Sequence, residues 1–161
     1  MCIRDSIQNS GIATAMVGLL QAPPGTRLYE RMKQEGRLRG DSSGDNVDGT
    51  TNIIPAMNLD ALREGYKGIL QHIYSPEHYY RRVRTFLHEY KPPKIRGRIR
   101  LSYILTLIRS SYRLGLVDSG RLHYWRLMLW THFRRPRLFA EAITLAIYGY
   151  HFRKVCKRRV T

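Results

Sequence analysis

A nearly continuous apolar run from Ile12 to Gln21 (Ile-Ala-Thr-Ala-Met-Val-Gly-Leu-Leu-Gln), stopped by Ala22-Pro23-Pro24-Gly25, constrains this chain more than any other stretch. Its length and its Pro-Pro-Gly stop favour a strand buried on both faces, as in a parallel sheet, over a helix. Thr26 then stands as an N-cap, with Leu28, Tyr29 and Met32 on one helical face and Gly36 as the C′ stop. This is a strand–turn–helix unit, half of a βα repeat. No second buried strand is legible in the remainder, so the run's partners are expected in polypeptide outside this chain.

Charge divides the sequence. Residues 1–60 hold six basic and seven acidic side chains, whereas residues 61–161 hold 22 basic and five acidic ones, a net of +17. A step of that size suggests two units with different jobs. The basic part suits nucleic acid, an anionic membrane surface, or an acidic face elsewhere in a larger protein. At 161 residues and 43% hydrophobic content, the chain has enough apolar material for one domain, or a small domain with a piece of another. Cys2 and Cys156 sit at opposite ends and build neither a disulfide framework nor a four-ligand metal site. The first ten residues are too polar for a secretory signal, and no window has the roughly 18 consecutive apolar residues of a membrane span. A soluble, cytoplasmic, mostly helical chain is expected.

From Leu38 to Met57 the sequence is rich in Gly, Asp, Asn, Ser and Thr with no period of 2 or 3.6, and reads as a long loop. Five helices are predicted after it. Asn58 caps the first, whose inner positions are Leu62, Tyr66, Ile69, Leu70 and Ile73. Ser75-Pro76 opens the second, with Tyr79, Val83, Phe86, Leu87 and Tyr90 inward. A third, from Ile99 to Leu114, would face the core with Leu101, Ile104, Leu105, Ile108 and Tyr112 and stop at Gly115. Asp118 or Ser119 caps a fourth with inner stripe Leu122, Trp125, Leu129 and Phe133. Pro136 opens the fifth, with Phe139, Ile143, Ala146, Ile147 and Tyr150 inward.

Few patterns carry chemistry. The six histidines show no i, i+4 pair with an intervening Glu and no nearby Cys, so edges of core stripes suit them better than a metal. Asp45 to Gly49 lacks the ligand spacing and closing Glu of a calcium loop. Pro23 to Thr26 leads into a helix N-terminus without a phosphate-wrapping glycine pattern. Tyrosines and arginines alternate from Tyr79 to Arg84, but the aromatics share the aliphatic stripes, which makes them core and the arginines solvated faces. A basic amphipathic stretch from Pro136 to Arg158 is suited to lying on an anionic membrane. No Ser/His/Asp, Cys/His or paired-carboxylate pattern stands out.

Several motifs in order carry a resemblance. They are the segment Ile7 to Pro23, Pro24 to Tyr29, Glu35 to Leu38, Gly44-Asp45-Asn46, Thr51 to Pro55, Gly65-Tyr66 and Tyr74 to Val83. From about Ile7 to Tyr90 the chain resembles the C-terminal region of cobalamin-binding-domain radical SAM proteins, nearest the branch that includes hopanoid C-3 methylases. Past Tyr90 the likeness is only in basic, helical character. In that family a cobalamin-binding domain precedes a radical SAM partial barrel, and a C-terminal helical domain of unknown function closes the protein.

The resemblance implies a mainly α fold: a strand–helix remnant of the barrel at residues 7–37, a polar linker at 38–57, and a basic domain of about five helices at 58–161. Residues 1–6 match no part of the pattern and read as a non-native start. Gln21 and Ala22 would lie on the barrel rim near the cofactors, and Asn46, Thr51 and Asn52 near the substrate. The parent enzyme would use a [4Fe–4S] cluster and S-adenosylmethionine, with cobalamin moving a methyl group. The family's CxxxCxxC motif is absent here, so this chain is expected to bind no cofactor and to catalyse nothing alone. Its expected partner is the remainder of the parent chain. The other reading is an independent basic helical module, peripheral on an anionic membrane or its lipids, with nucleic acid the less favoured partner.

Overall fold

The computed structural model describes residues 3–45, 48–92 and 101–160, and the side chains of all of these except 101–106, 159 and 160. The chain is mainly α. In order, the helices are α1 (Ile3–Asn9), α2 (Arg27–Gln34), α3 (Leu59–Ile73), α4 (Pro76–Glu89), α5 (Leu101–Tyr112), α6 (Arg121–Arg134) and α7 (Phe139–Val160). A π-helical turn at Arg113–Val117 follows α5, and a 3-10 turn at Pro136–Leu138 precedes α7.

The buried strand expected over Ile12–Gln21 does not form: residues 12–21 carry neither strand nor helix. Among the described residues the ladder is limited to one isolated antiparallel bridge, Leu38 with Ile53. Ile12, Met16 and Leu20 are more than half exposed. The reason is elementary: a strand is completed by its neighbours' backbone groups, and this segment meets side chains instead. Tyr66 donates its hydroxyl hydrogen to Val17 O (3.2 Å), and Thr51 donates to Leu20 O (2.6 Å).

Two compact units make up the chain: Ala15–Gln71 with Cys156–Thr161, and Met1–Thr14 with His72–Val155. The first is organised by local signals. Thr26 accepts from Tyr29 N at 3.2 Å and starts α2. At the other end Gly36 takes φ +65°, and the bonds Gly36 N to Lys33 O and Arg37 N to Met32 O close a Schellman motif. Leu28, Tyr29 and Leu38 pack around the small core of Ala22, Met32 and Ile53. Asn58 Oδ1 accepts from Asp60 N and Ala61 N and starts α3, which buries Tyr66 and Leu70.

In the second unit α4 packs on α6 and α1 on α4. Tyr79 of α4 lies so close over Gly149 of α7 that a Cβ there would overlap the ring, and its hydroxyl donates to Leu145 O at 2.6 Å. Arg82, read from the sequence as part of a solvated face, is fully buried. Its guanidinium donates to Ile12 O (3.3 Å), Gln8 Oε1 (3.2 Å) and Ile73 O (2.7 Å). Those carbonyls, one of them at the negative end of α3, replace the water a buried cation would otherwise lack. Burial pushes its pKa down, while the guanidinium's high intrinsic basicity keeps it charged. Arg135 does a related job from outside: it donates to His88 O (2.5 Å) and Tyr90 O (3.1 Å) at the open end of α4.

Helix α6 is rotated from its expected setting. It buries Tyr124, Leu127, Met128 and Thr131, and leaves Leu122, Trp125, Leu129 and Phe133 exposed. Thr131 fits the interior because its hydroxyl donates to Leu127 O at 2.8 Å, one turn back. Ile108 and Tyr112 of α5 also face outward; the other expected inner positions of that helix fall on side chains outside those described. Gly115 does not end the helix. The chain widens into the π turn, closed by Asp118 N to Arg113 O (3.1 Å), and Gly115 lies buried where the Trp125 indole donates to its carbonyl (3.0 Å). Leu138 of the 3-10 turn and Ala142, Ile143, Ala146 and Gly149 of α7 face inward, so the apolar side of the stretch expected to meet a membrane is already packed.

Candidate functional site

The polar loop closes on the segment before α2. Gln21 reaches across with both ends of its amide: Nε2 donates to Ser43 Oγ (3.0 Å) and Asp45 O (3.1 Å), and Oε1 accepts from Ser42 Oγ (2.5 Å). Asn52 acts on the next residue. Its Oδ1 accepts from Ala22 N (2.8 Å) and its Nδ2 donates to Ala22 O (2.9 Å), so one side chain satisfies both backbone polar groups of a residue, as a strand neighbour would. Both Asn52 and Ala22 are buried. Thr51 donates to Leu20 O, and Arg39 N to Asn52 O (2.7 Å) ties the loop's return to its start.

Four of the five site residues expected from the sequence are thereby brought together: Gln21, Ala22, Thr51 and Asn52. Asn46 lies outside the described residues. The cluster's amide groups serve the loop itself, so its chemistry is that of a clasp: it holds residues 42–45 and 51–52 against residues 20–22. Gly49, at φ +73° and 3.2 Å from the Tyr66 ring by its would-be Cβ, adds a close approach at the loop's far side.

A second polar group joins α3 to α4. Ser75 donates to His72 O (2.9 Å), which leaves its lone pair facing His78 Nδ1 at 2.8 Å and puts that hydrogen on Nδ1 in the neutral ring. The His72 and His78 rings stand 3.8 Å apart. Partial burial lowers the His78 pKa, and the positive fields of His72, Arg81 and Arg82 add to the shift while Glu77 opposes it. Among the described residues no group of three His, Cys, Asp or Glu side chains is placed to hold a metal ion. An open groove of about 560 Å³ runs between Ser10–Thr14 and the end of α4, with Glu89 and Lys91 on its wall. Sequence reasoning missed Arg82, Ser42, Arg135 and Gly149, whose roles depend on residues distant in the chain.

A Thr26-to-Thr161 region that begins at a helix cap and ends with a long basic helix matches one known family throughout. The chain belongs to the family described as Domain of unknown function (DUF4070), which matches residues 26–161. Among curated proteins it is similar to the "Uncharacterized methyltransferase sll1242" of Synechocystis sp. (strain ATCC 27184 / PCC 6803 / Kazusa), with 30% identity over 151 residues. That alignment takes in 90% of this chain and 28% of the relative, so the chain spans little more than a quarter of the length of the protein it matches. No solved structure matches.

Proposed function

We propose that this chain is the helical part of a longer radical S-adenosylmethionine enzyme that transfers a methyl group, with the loop clasp lying beside the substrate. The observation that carries the reading is the long alignment with a far longer protein named a methyltransferase. It is supported by the ordered motifs from Ile7 to Val83, whose likeness is nearest the cobalamin-dependent, hopanoid C-3 methylase branch. A [4Fe–4S] cluster does not fit this chain. Two cysteines far apart in sequence are too few for its thiolates, and the described His, Cys, Asp and Glu side chains do not gather. The cluster, S-adenosylmethionine and any cobalamin therefore belong to other polypeptide, and this chain supplies shape. Gln21 and Asn52 hold the loop, and Thr51 at its base pins the backbone at Leu20. The helical unit packs on the catalytic part and borders the pocket.

Anaerobic reconstitution tests both levels of this reading. The longer gene product is expected to cleave S-adenosylmethionine to 5′-deoxyadenosine, and this chain alone to cleave none; a longer product without cleavage overturns the enzyme class. In that product Asn52→Ala is expected to raise KM for the methyl acceptor about tenfold while cofactor cleavage continues. Unchanged kinetics would remove the loop from the site.

A further inference from the structure

Helix α6 has two apolar faces. Tyr124, Leu127, Met128 and Thr131 are buried, while Leu122, Trp125, Leu129 and Phe133 are 78%, 42%, 56% and 78% exposed. The exposed four are spaced by three, four and four residues, so they form one stripe. At 100° per residue that stripe lies about 150° around the helix from the buried set. A helix apolar on both sides ordinarily has apolar matter on both sides.

A second exposed row continues the surface. Ile108, Tyr112 and Leu116 recur every four residues along α5 and the π turn, and Val117 beside them is 68% exposed. Trp125 joins the two rows, because its indole lies against Gly115, with a would-be Cβ there 2.9 Å from Nε1. Leu116 follows directly. A contiguous patch of large side chains on this scale marks an interaction surface.

Its margin decides the partner. Arg109, Arg121 and Arg126 are exposed, each within about 90° of one of the rows. Between residues 101 and 160 there are 12 basic side chains and two acidic ones, Asp118 and Glu141. Asp118 is held by Arg153 at 2.6 Å, and Glu141 is half-buried, so neither offsets the patch. Apolar side chains that include a tryptophan, bordered by arginines whose stems can lie along the apolar surface, match the layered order of acyl chains and anionic headgroups. No described helix is long and apolar enough to cross a membrane, so such an attachment would be in the plane of the surface.

We infer that the α5–α6 face docks on an anionic lipid bilayer, with Leu122, Trp125, Leu129 and Phe133 entering the headgroup boundary and the bordering arginines meeting lipid phosphates. This does not rest on the enzymatic reading and requires no turnover.

The test uses the full 161-residue chain with Trp130→Phe, which leaves Trp125 as the sole indole reporter. Vesicles of equimolar phosphatidylglycerol and phosphatidylcholine are expected to sediment the protein and shift Trp125 emission to the blue. Vesicles of phosphatidylcholine alone are expected to bind at least about tenfold more weakly, and salt to weaken the anionic binding. Leu129→Glu with Phe133→Glu, at exposed positions, is expected to cut binding by about tenfold or more with the thermal midpoint unchanged. Should that pair unfold the chain, Leu122→Ser with Phe133→Ser replaces it. The inference is overturned by no binding to the anionic vesicles, by binding without a blue shift, or by binding that the apolar substitutions leave intact. It is also overturned if those substitutions dissolve a dimer of this chain while the vesicles bind nothing, which would assign the face to a second copy.

Discussion

His78 shows how one side chain couples the junction of α3 and α4 to solution conditions. Its pKa in the folded chain lies below the ordinary value of 6.5, first because burial disfavours the imidazolium and then because His72 and Arg81 add positive field. Well above pH 6.5 the ring is neutral in both folded and unfolded chains and contributes nothing to the difference. As pH falls through 6.5 the unfolded chain takes up the proton first, so stability declines toward acid. The thermal midpoint is therefore expected to drop between about pH 7.5 and pH 5.5, and His78→Gln to flatten that slope. Identical profiles for the two proteins would show that His78 has no part in it. Tyr79 and Tyr80 are shifted the other way: burial raises both phenols, which keeps them neutral beside Arg82 and Arg153.

At the scale of elements, the close approach of α4 to α7 depends on a small residue, Gly149. A methyl at Gly149 would overlap the Tyr79 ring, and the ring is fixed at its far end by the bond to Leu145 O. Gly149→Ala is expected to lower the unfolding free energy by about 3 kcal/mol, read by denaturant titration. Gly68→Ala in α3 has open space around it and is expected to raise it by about 0.5–1 kcal/mol. Equal effects would dissolve the steric argument. The same comparison explains what the sequence made legible. The ends of α2 and the start of α3 could be read because Thr26, Gly36 and Asn58 act on residues within four positions. The setting of α6 could not: periodicity favours the larger side chains, and Thr131 hides its polarity in an internal bond. Nor could the fate of residues 12–21, since an apolar run states a wish for burial without naming the surface that grants it. That Asn52 clasps Ala22 could not be read either, since no local pattern spans the intervening loop.

Over the whole molecule, charge sets the conditions of stability. A net charge of +17 beyond residue 60 repels itself, and Arg153–Asp118 is the well-buried ion pair among the described residues; the others are at the surface. Surface pairs contribute little, so screening acts mainly on repulsion. Raising salt from about 20 mM to about 150 mM is expected to raise the thermal midpoint by a few degrees, and a fall would show that attractive pairs dominate. Any assay of binding by this chain must separate that effect from screening of the partner.

The π turn at Arg113–Val117 carries one residue more than α-helical winding needs, and the bond from Asp118 N to Arg113 O closes it. Loss of a single amino acid there would let the winding tighten without breaking a helix. Because the wider turn already absorbs the surplus residue, the chain after it would keep nearly the same direction. The turn thus holds a spare residue that descendants of this chain could lose while the outer row of Leu122 to Phe133 still confronts the same surroundings.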